Sequence, residues 1–258
     1  MINTKYFKEY RLKLGFSNQQ GVKKFFGAKD IIPTVDFNYI ASLNSRLVEI
    51  LKKINDTVVS EVKVIDLKTF IKQNITDVFE KLKAHEIIER LNNQGRRPEE
   101  VYFSWMRGYI ISNYFLKSLS IIFQIDLSNI KIIGDDDLVN IDSFKRTPTA
   151  DLEISINKSE KIRIEVQSGF QGINDIKQHK VLEAKKIKSE KNIPTIAIHF
   201  DLFNGQVAFV RLDTIEDDNI NWITRQQMEG QTVFNIDQNY FVWKLIEQPP
   251  KIDKLGIM

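Results

Sequence analysis

Two carboxylates and one carboxamide occupy matching positions in two neighbouring segments that have the pattern of β-strands. Asp151 opens the segment DLEIS, and Glu165 and Gln167 lie in the segment RIEVQ. In both segments the apolar residues are even-numbered and the polar residues odd-numbered, which predicts strands with two unlike faces. Pairing the apolar faces places Asp151, Glu165 and Gln167 together on the polar face. These oxygen-bearing side chains suit a hard divalent metal ion better than they suit a packed core.

This arrangement requires the two strands to form an antiparallel hairpin. Directly opposed residues of a hairpin share a face, so the connecting loop should hold an odd number of residues, unless a β-bulge absorbs the difference. We then expect the carboxyl and amide groups of Asp151, Glu165 and Gln167 to converge within the reach of one metal ion, using ligand distances of roughly 2.0–2.6 Å. A hairpin with one solvated face is the simpler alternative, and the spacing alone does not exclude it.

The elements around the hairpin form a recognisable order. Residues 101–123 are apolar on most sides and predict a buried central helix, with Pro98 in its first turn. IKIIG reads as a strand before the two acidic strands, and residues 172–191 read as a helix after them. The segment IPTIAIHF has little alternation, which is typical of a strand buried on both faces. The predicted order is therefore helix, strand, strand, strand, helix, strand.

That order, together with Asp151, thirteen intervening residues and then Glu165-Val166-Gln167, resembles the PD-(D/E)xK nuclease superfamily, particularly type II restriction endonucleases. The resemblance covers roughly residues 99–211. It implies a mixed α/β fold whose core is a mixed β-sheet flanked by helices. It also implies a phosphodiester hydrolase that uses Mg²⁺ and cuts double-stranded DNA at a specific sequence.

The resemblance assigns roles by position. Asp151 matches the metal-binding aspartate, Glu165 the second metal ligand, and the Val166 carbonyl would complete the set of ligands. Ala150 stands where the family usually has proline, which is a mild change. Gln167 stands where the family usually has a catalytic lysine, although a minority of restriction endonucleases have Glu-x-Gln there.

In other members of the family the lysine comes from the following helix, and this chain offers Lys177 and Lys180 in that position. We assign Lys180 to the catalytic role and Lys177 to DNA binding. Asp135, Asp136 and Asp137 could add an acid to the site, but three aspartates after a glycine are more typical of a solvated turn. A degenerate nuclease scaffold that binds DNA without cutting it is the alternative function.

Charge is distributed unevenly along the chain. Residues 1–98 contain 18 basic and 11 acidic residues, a net charge of +7, whereas residues 99–258 contain 19 and 23, a net charge of −4. The N-terminal region also has mostly helical patterns. We therefore predict two parts: a basic helical region for DNA recognition or dimerisation at 1–98, and a catalytic domain at 99–258. A solvated basic face would explain the same charges.

Four further residues are candidates for DNA binding. Arg96 and Arg97 lie in a glycine-containing loop and could read guanine edges in a major groove. Lys23 and Lys24 lie in GFSNQQGVKKFFGAKD, which loosely resembles a helix-turn-helix and would contact backbone phosphates. That segment also supports the alternative of a DNA-binding protein without catalysis.

Composition excludes several other classes of protein. The chain has no cysteine, which excludes disulfides and thiolate metal sites. Its three histidines are far apart and lack the spacing of zinc ligands. There is no apolar run long enough to cross a membrane, and the start MINTKYFKEYRLKLGF lacks the apolar block of a secretory signal. We expect a cytoplasmic protein, and a homodimer is compatible with these patterns.

Two predictions concern the C-terminal part. Asn204–Gly205 predicts a hairpin between the strands at IPTIAIHFDLF and QVAFVRLDTI. The tail from Trp222 to Met258 is expected to contain a helix and a further strand at NYFVWKLI.

Overall fold

A computed structural model describes residues 3–27, 31–91, 96–133, 138–139, 141, 144, 149–157, 160–216, 218, 220–226 and 230–256. The α-helices within these ranges are α1 (Thr4–Leu14), α2 (Gln19–Phe26), α3 (Phe37–Thr57), α4 (Leu67–Ile71), α5 (Asp77–Ala84), α6 (Pro98–Phe123) and α7 (Gln178–Lys191). The strands are β1 (Ile130–Ile132), β2 (Leu152–Ser155), β3 (Lys161–Gly169), β4 (Asp175–Lys177), β5 (Thr195–Asp201), β6 (Gln206–Arg211), β7 (Ile223–Arg225), β8 (Gln231–Asn235) and β9 (Phe241–Lys244).

The predicted helical character of the N-terminal region is confirmed. Helix α3 buries Ile40, Leu47, Leu51 and Ile54, whose spacing forms one apolar stripe along a helix. Asp36 caps its first turn by accepting a hydrogen bond from the backbone N–H of Tyr39. Helices α1 and α2, in contrast, bury no side chain.

Three local features shape this region. The side chain of Asn18 caps helix α2 by accepting a hydrogen bond from the backbone N–H of Gly21. The segment VVSEVKVI contains a turn at residues 60–62. A π-helical turn at Lys72–Thr76 joins α4 to α5.

Helix α6 is the central helix of the fold, as predicted. It runs for 26 residues, begins with Pro98, and buries fifteen of its side chains. Proline suits the first turn of a helix because the missing N–H has no partner there in any case. Tyr102 and Tyr114 donate hydrogen bonds of 2.8 Å to Asn44 and Asn55 of α3. Helices α3 and α5 therefore share the apolar core of α6, and the division of the chain into two domains stays a prediction.

The main sheet is mixed and has the strand order β1-β2-β3-β5-β6-β9. Strands β3 and β5 are parallel and joined by α7, whereas the other neighbours in this sheet are antiparallel. Ile164 and Ile198 pack with α6 on one face, and Ala197 packs with Val181 and Ala184 of α7 on the other. Every residue of β5 is buried, as its unbroken apolar pattern predicted. The predicted mixed α/β class, a mixed sheet flanked by helices, is confirmed.

The hairpin predicted at Asn204–Gly205 joins β5 to β6 through residues 202–205. Gly205 has φ +69°, a conformation that glycine adopts without steric cost. The carboxylate of Asp201 holds the turn by accepting hydrogen bonds from the backbone N–H groups of Phe203 and Asn204.

A second sheet of three antiparallel strands, in the order β4-β8-β7, corrects two predictions. The helix expected at residues 172–191 begins six residues later, because Asp175–Lys177 pairs with β8 instead of continuing α7. The helix expected in the tail is wrong, since the described residues after Trp222 form strands and short 3₁₀ turns. The strand expected there is confirmed as β9. Strand pairing between distant segments overrides local propensity in these places.

Candidate active site

The hairpin of β2 and β3 has the predicted register. Leu152 pairs with Ile164 and Ile154 with Ile162, and the loop 156–160 holds an odd number of residues. Continuing this register by one position places Asp151, the residue before β2, across from Glu165. The two acids therefore lie across from each other at the same end of the hairpin, and their convergence on one face stays a prediction.

Asp151 is attached to the backbone of β3. Its Oδ2 accepts a hydrogen bond of 2.7 Å from the N–H of Val166. The N–H and C=O of one residue in an extended strand point to the same side, so the Val166 carbonyl borders the same edge as the Asp151 carboxylate. Strand β2 begins at Leu152, one residue after Asp151, so the Asp151 carboxylate and the Val166 carbonyl lie at this end of the hairpin.

Lys180, in the first turn of α7, reaches back to this hairpin. Its Nζ lies 2.9 Å from Oε2 of Glu165, and the two side chains are 16% and 8% exposed. Nζ also donates to the carbonyl of Thr149 at 3.4 Å. Burial alone would lower the pKa of Lys180, but the charges of Glu165 and Asp151 outweigh burial and raise the pKa. The chain therefore holds a charged ammonium beside the two carboxylates, although Gln167 occupies the usual lysine position.

A cleft of about 340 Å³ opens at this edge of the sheet. Helix α6 forms one wall, the end of β3 forms the floor, and β4 and the start of α7 form the opposite wall. The lining residues are Ser104, Arg107, Gly108, Ile111, Glu165, Val166, Gln167, Ser168, Ile173, Asp175, Lys177, Lys180 and His199. Gln167 and both candidate lysines thus lie in one cleft with Glu165. Asp151 lines the adjoining groove against α6.

A buried histidine lies beside Gln167, and the sequence patterns did not identify it. His199 of β5 is paired in register with Gln167 of β3 and is 3% exposed. Its Nε2 lies 2.8 Å from Oδ1 of Asn174, whose amide nitrogen donates to Asp201. Because the amide nitrogen faces Asp201, its oxygen faces the imidazole, which requires the ring proton on Nε2.

Burial lowers the pKa of His199 to about 4, although the charges of Asp201 and Asp175 act in the opposite direction. The imidazole is therefore neutral at physiological pH. Its Nδ1 is buried without a hydrogen-bond partner in the described part of the chain. One sequence signal could have identified His199. It has an odd number, like Gln167, and lies on a strand that was predicted next to the strand of Gln167.

A second ion pair at the cleft was also missed. Asp175 of β4 is buried and accepts hydrogen bonds of 2.8 and 3.3 Å from the guanidinium of Arg225. Asn235 of β8 donates to the same carboxylate at 3.1 Å. No local pattern links residues 175, 225 and 235, because they meet only through the pairing of the second sheet.

The predicted DNA-binding residues separate into two groups. Lys177 lines the cleft, whereas Arg96, Arg97, Lys23 and Lys24 are not among its lining residues. Arg97 pairs with Glu99 at 3.0 Å, and its guanidinium lies 5.4 Å from the ring centre of Tyr39. Lys23 and Lys24 are exposed on α2.

The oxygen-bearing groups at the hairpin fit Mg²⁺. Magnesium is usually bound through one or two carboxylates and keeps several of its waters. Asp151, Glu165 and the Val166 carbonyl match that set of ligands. Among the described residues there is no group of three or more His, Asp or Glu side chains that could hold a metal. Asp135, Asp136 and Asp137, the candidates for an additional acid, lie outside the described residues.

Comparison with known proteins adds a likeness to solved structures. No protein-family model matches the sequence, and no curated protein matches it. The fold is similar to that of Hjc, a Holliday junction resolvase from the archaeal hyperthermophile Archaeoglobus fulgidus. The identity is 12%, the match covers 43% of this chain and 78% of that chain, and the TM-score is 0.29. A likeness of this size supports no conclusion about activity. Within the described residues, no helix is long and apolar enough to cross a membrane.

Proposed function

We propose that this protein is a Mg²⁺-dependent DNA endonuclease of the PD-(D/E)xK type, and specifically a type II restriction endonuclease that hydrolyses double-stranded DNA at a defined sequence. One observation carries the proposal: Asp151 faces Glu165 across the hairpin, and the ammonium of Lys180 lies 2.9 Å from Glu165 at the edge of an open cleft. The cytoplasmic location and the homodimer remain part of this proposal.

The protein's own groups have separate roles in this chemistry. Asp151, Glu165 and the Val166 carbonyl would hold Mg²⁺, which supplies Lewis acidity and lowers the pKa of a bound water. The hydrogen bond from the Val166 N–H fixes the orientation of the Asp151 carboxylate. Glu165 holds the ammonium group of Lys180 in place. The positive charge of Lys180 would therefore already be positioned where negative charge develops on a phosphate.

Gln167 has a different role from the lysine that it replaces. A carboxamide donates and accepts hydrogen bonds but carries no charge, so Gln167 can orient an attacking water and cannot neutralise a phosphate. The positive charge must then come from Lys180. The neutral imidazole of His199, next to Gln167 in the sheet, adds no charge to the cleft.

The test is a paired measurement of cleavage and binding. Plasmid DNA is incubated with Mg²⁺ and the wild type, Asp151→Asn or Glu165→Gln, and DNA affinity is measured separately with a chelator. Both variants should lose cleavage by orders of magnitude, because each removes a charged oxygen ligand. Metal-free binding should be unchanged or tighter, because an amide does not repel a phosphate as a carboxylate does.

A matched control is Glu153→Gln, which changes the same charge on β2 at a side chain that pairs with Lys161 outside the cleft. This variant should cleave like the wild type. Wild-type cleavage by both site variants would remove the two acids from the mechanism. DNA binding without cleavage by the wild type would favour the alternative, a DNA-binding protein on a degenerate nuclease scaffold.

A further inference from the structure

Arg107 is a charged group of the cleft for which the proposed catalytic mechanism has no use. It lies on α6 in the wall opposite Lys177 and Lys180, and it is exposed. The positions three and four residues away hold Phe103, Ser104, Ile110 and Ile111, so no acid is placed to pair with it along the helix. Arg107 has no hydrogen bond or ion pair with any described residue.

The other charged groups lining the cleft differ in this respect. Glu165 is paired with Lys180, and Asp175 is paired with Arg225. The two lining carboxylates thus already have cations, and neither is paired with Arg107. Desolvation by the wall lowers the pKa of Arg107, but a guanidinium remains charged at any pH at which proteins are folded. Among the residues that the structure describes, no carboxylate pairs with Arg107, so the wall of α6 presents its positive charge to the cleft.

Gly108, the neighbour of Arg107, is the second observation. It lies in the interior of the 26-residue helix α6, where glycine costs about 1 kcal/mol relative to alanine. A Cβ at this position would meet no atom within 4 Å, and φ is not positive, so neither packing nor backbone conformation requires glycine. One face of α6 carries Ser104, Arg107, Gly108 and Ile111. Because Gly108 has no side chain, the backbone of the helix is accessible there beside the guanidinium.

We propose that this face of α6 is a contact site for the DNA backbone, in which Arg107 binds a phosphate near the scissile one and Gly108 leaves room for the sugar-phosphate chain. The choice of DNA as ligand rests on the proposed nuclease function. A guanidinium binds phosphate through two parallel hydrogen bonds, which would fix the register of the strand across the cleft. Ser104, one turn earlier on the same face, offers a hydroxyl donor to the same backbone.

The test measures DNA affinity without catalysis. A fluorescent mixed-sequence duplex is titrated with wild type, Arg107→Ala and Arg107→Lys in the presence of a chelator, at several salt concentrations. Arg107→Ala should weaken binding by about tenfold and reduce the slope of log affinity against log salt by about 1, as expected for one lost phosphate contact. Arg107→Lys should keep the slope and lose part of the affinity, because it retains the charge but not the planar fork.

The matched control is Lys117→Ala, which removes one exposed cation from the same helix ten residues away and outside the cleft. It should bind like the wild type. Gly108→Gln should weaken binding by placing a side chain in the path of the backbone, whereas Gly108→Ala should raise the melting temperature. Unchanged affinity and unchanged salt slope in Arg107→Ala would overturn the inference, as would a wild type that does not bind DNA.

These outcomes are distinguishable from a failure of the proposed nuclease function. A wild type that binds DNA but never cuts it would refute the nuclease, while a weakened Arg107→Ala would still support the phosphate contact. A wild type that cuts DNA, together with an Arg107→Ala variant of wild-type affinity and salt slope, would overturn only the contact.

Discussion

Two lysines lie near the end of α2, and two others lie where β4 leads into α7, but the surroundings of the two pairs differ. Lys23 and Lys24 are exposed on α2, which buries no side chain. Lys180 is largely buried at the start of α7 and held by Glu165, and Lys177 lies in the same cleft. Both pairs contribute equally to net charge. Only the second pair lies beside carboxylates, so the fold around a cation, and not the charge of its region, indicates where chemistry can occur.

The largest expected effect tests the lysines at the cleft, Lys177 and Lys180. Lys180→Ala removes the charge nearest to Glu165, and cleavage should fall by about 100- to 1,000-fold, as when one preorganised electrostatic group is removed from an active site. Lys177→Ala, on the same side of the cleft, should affect DNA binding more than the rate of cleavage. Single-turnover cleavage with saturating enzyme separates the two effects.

The free energy of unfolding shows whether Lys180→Ala loses activity through a change in the site or through a loss of stability. Lys180→Ala leaves a buried carboxylate without its cation, which costs about 3–5 kcal/mol where such pairs have been broken. Replacing both partners, in Glu165→Gln with Lys180→Met, should restore much of the stability and none of the activity. Urea unfolding of the wild type, the single variant and the double variant measures this. An active double variant would show that the pair serves folding alone.

The hairpin and its acids were predictable because the pattern that encodes them is local. Leu152 and Ile154 alternate with polar residues on one strand, and Ile162 and Ile164 alternate with charged residues on the next. A single register pairs both apolar sets. Lys180 was named as a candidate from the resemblance to the nuclease superfamily, in which some members take the catalytic lysine from the helix after the acidic strand.

The remaining parts of the cleft depend on contacts between distant residues. His199, Asn174 and Asp201 form one hydrogen-bonded chain, but the loop that brings Asn174 to the sheet has no distinctive pattern. Strand β4 was taken for the first turn of α7, because its partner β8 lies more than fifty residues later. Local patterns do not encode such pairings.

The second prediction compares a buried with an exposed titratable group. The pKa of His199 is lowered to about 4 in the folded protein, from an ordinary value near 6.5. Between these values the unfolded chain binds more protons, so His199 reduces stability as pH falls through that range. The reduction is about 3 kcal/mol when fully developed, taking 1.36 kcal/mol for each pKa unit.

The measurement is urea unfolding at several pH values from 7 down to 4. His199→Gln should flatten the curve in this window, because glutamine keeps a donor for Asn174 and does not titrate. The same change at His85, which is exposed on the surface, provides the matched control for replacing a histidine by glutamine. Equal curves for the wild type and His199→Gln would show that the imidazole is not held in its neutral form.

The smallest expected effect tests the α2 side of the comparison. Lys23→Ala with Lys24→Ala should leave the free energy of unfolding within about 0.5 kcal/mol of the wild type, because both side chains are exposed. If α2 contacts DNA phosphates, as the charge of residues 1–98 predicts, the slope of log affinity against log salt should fall by about 2.

The control is Lys52→Ala with Lys53→Ala, which removes two exposed lysines from α3 in the same basic region. A loss of slope confined to the α2 variant would assign DNA contact to that helix. Unchanged slopes in both variants, together with a reduced slope for Lys177→Ala, would place the phosphate contacts at the cleft and leave the basic charge of α2 as a solvated surface.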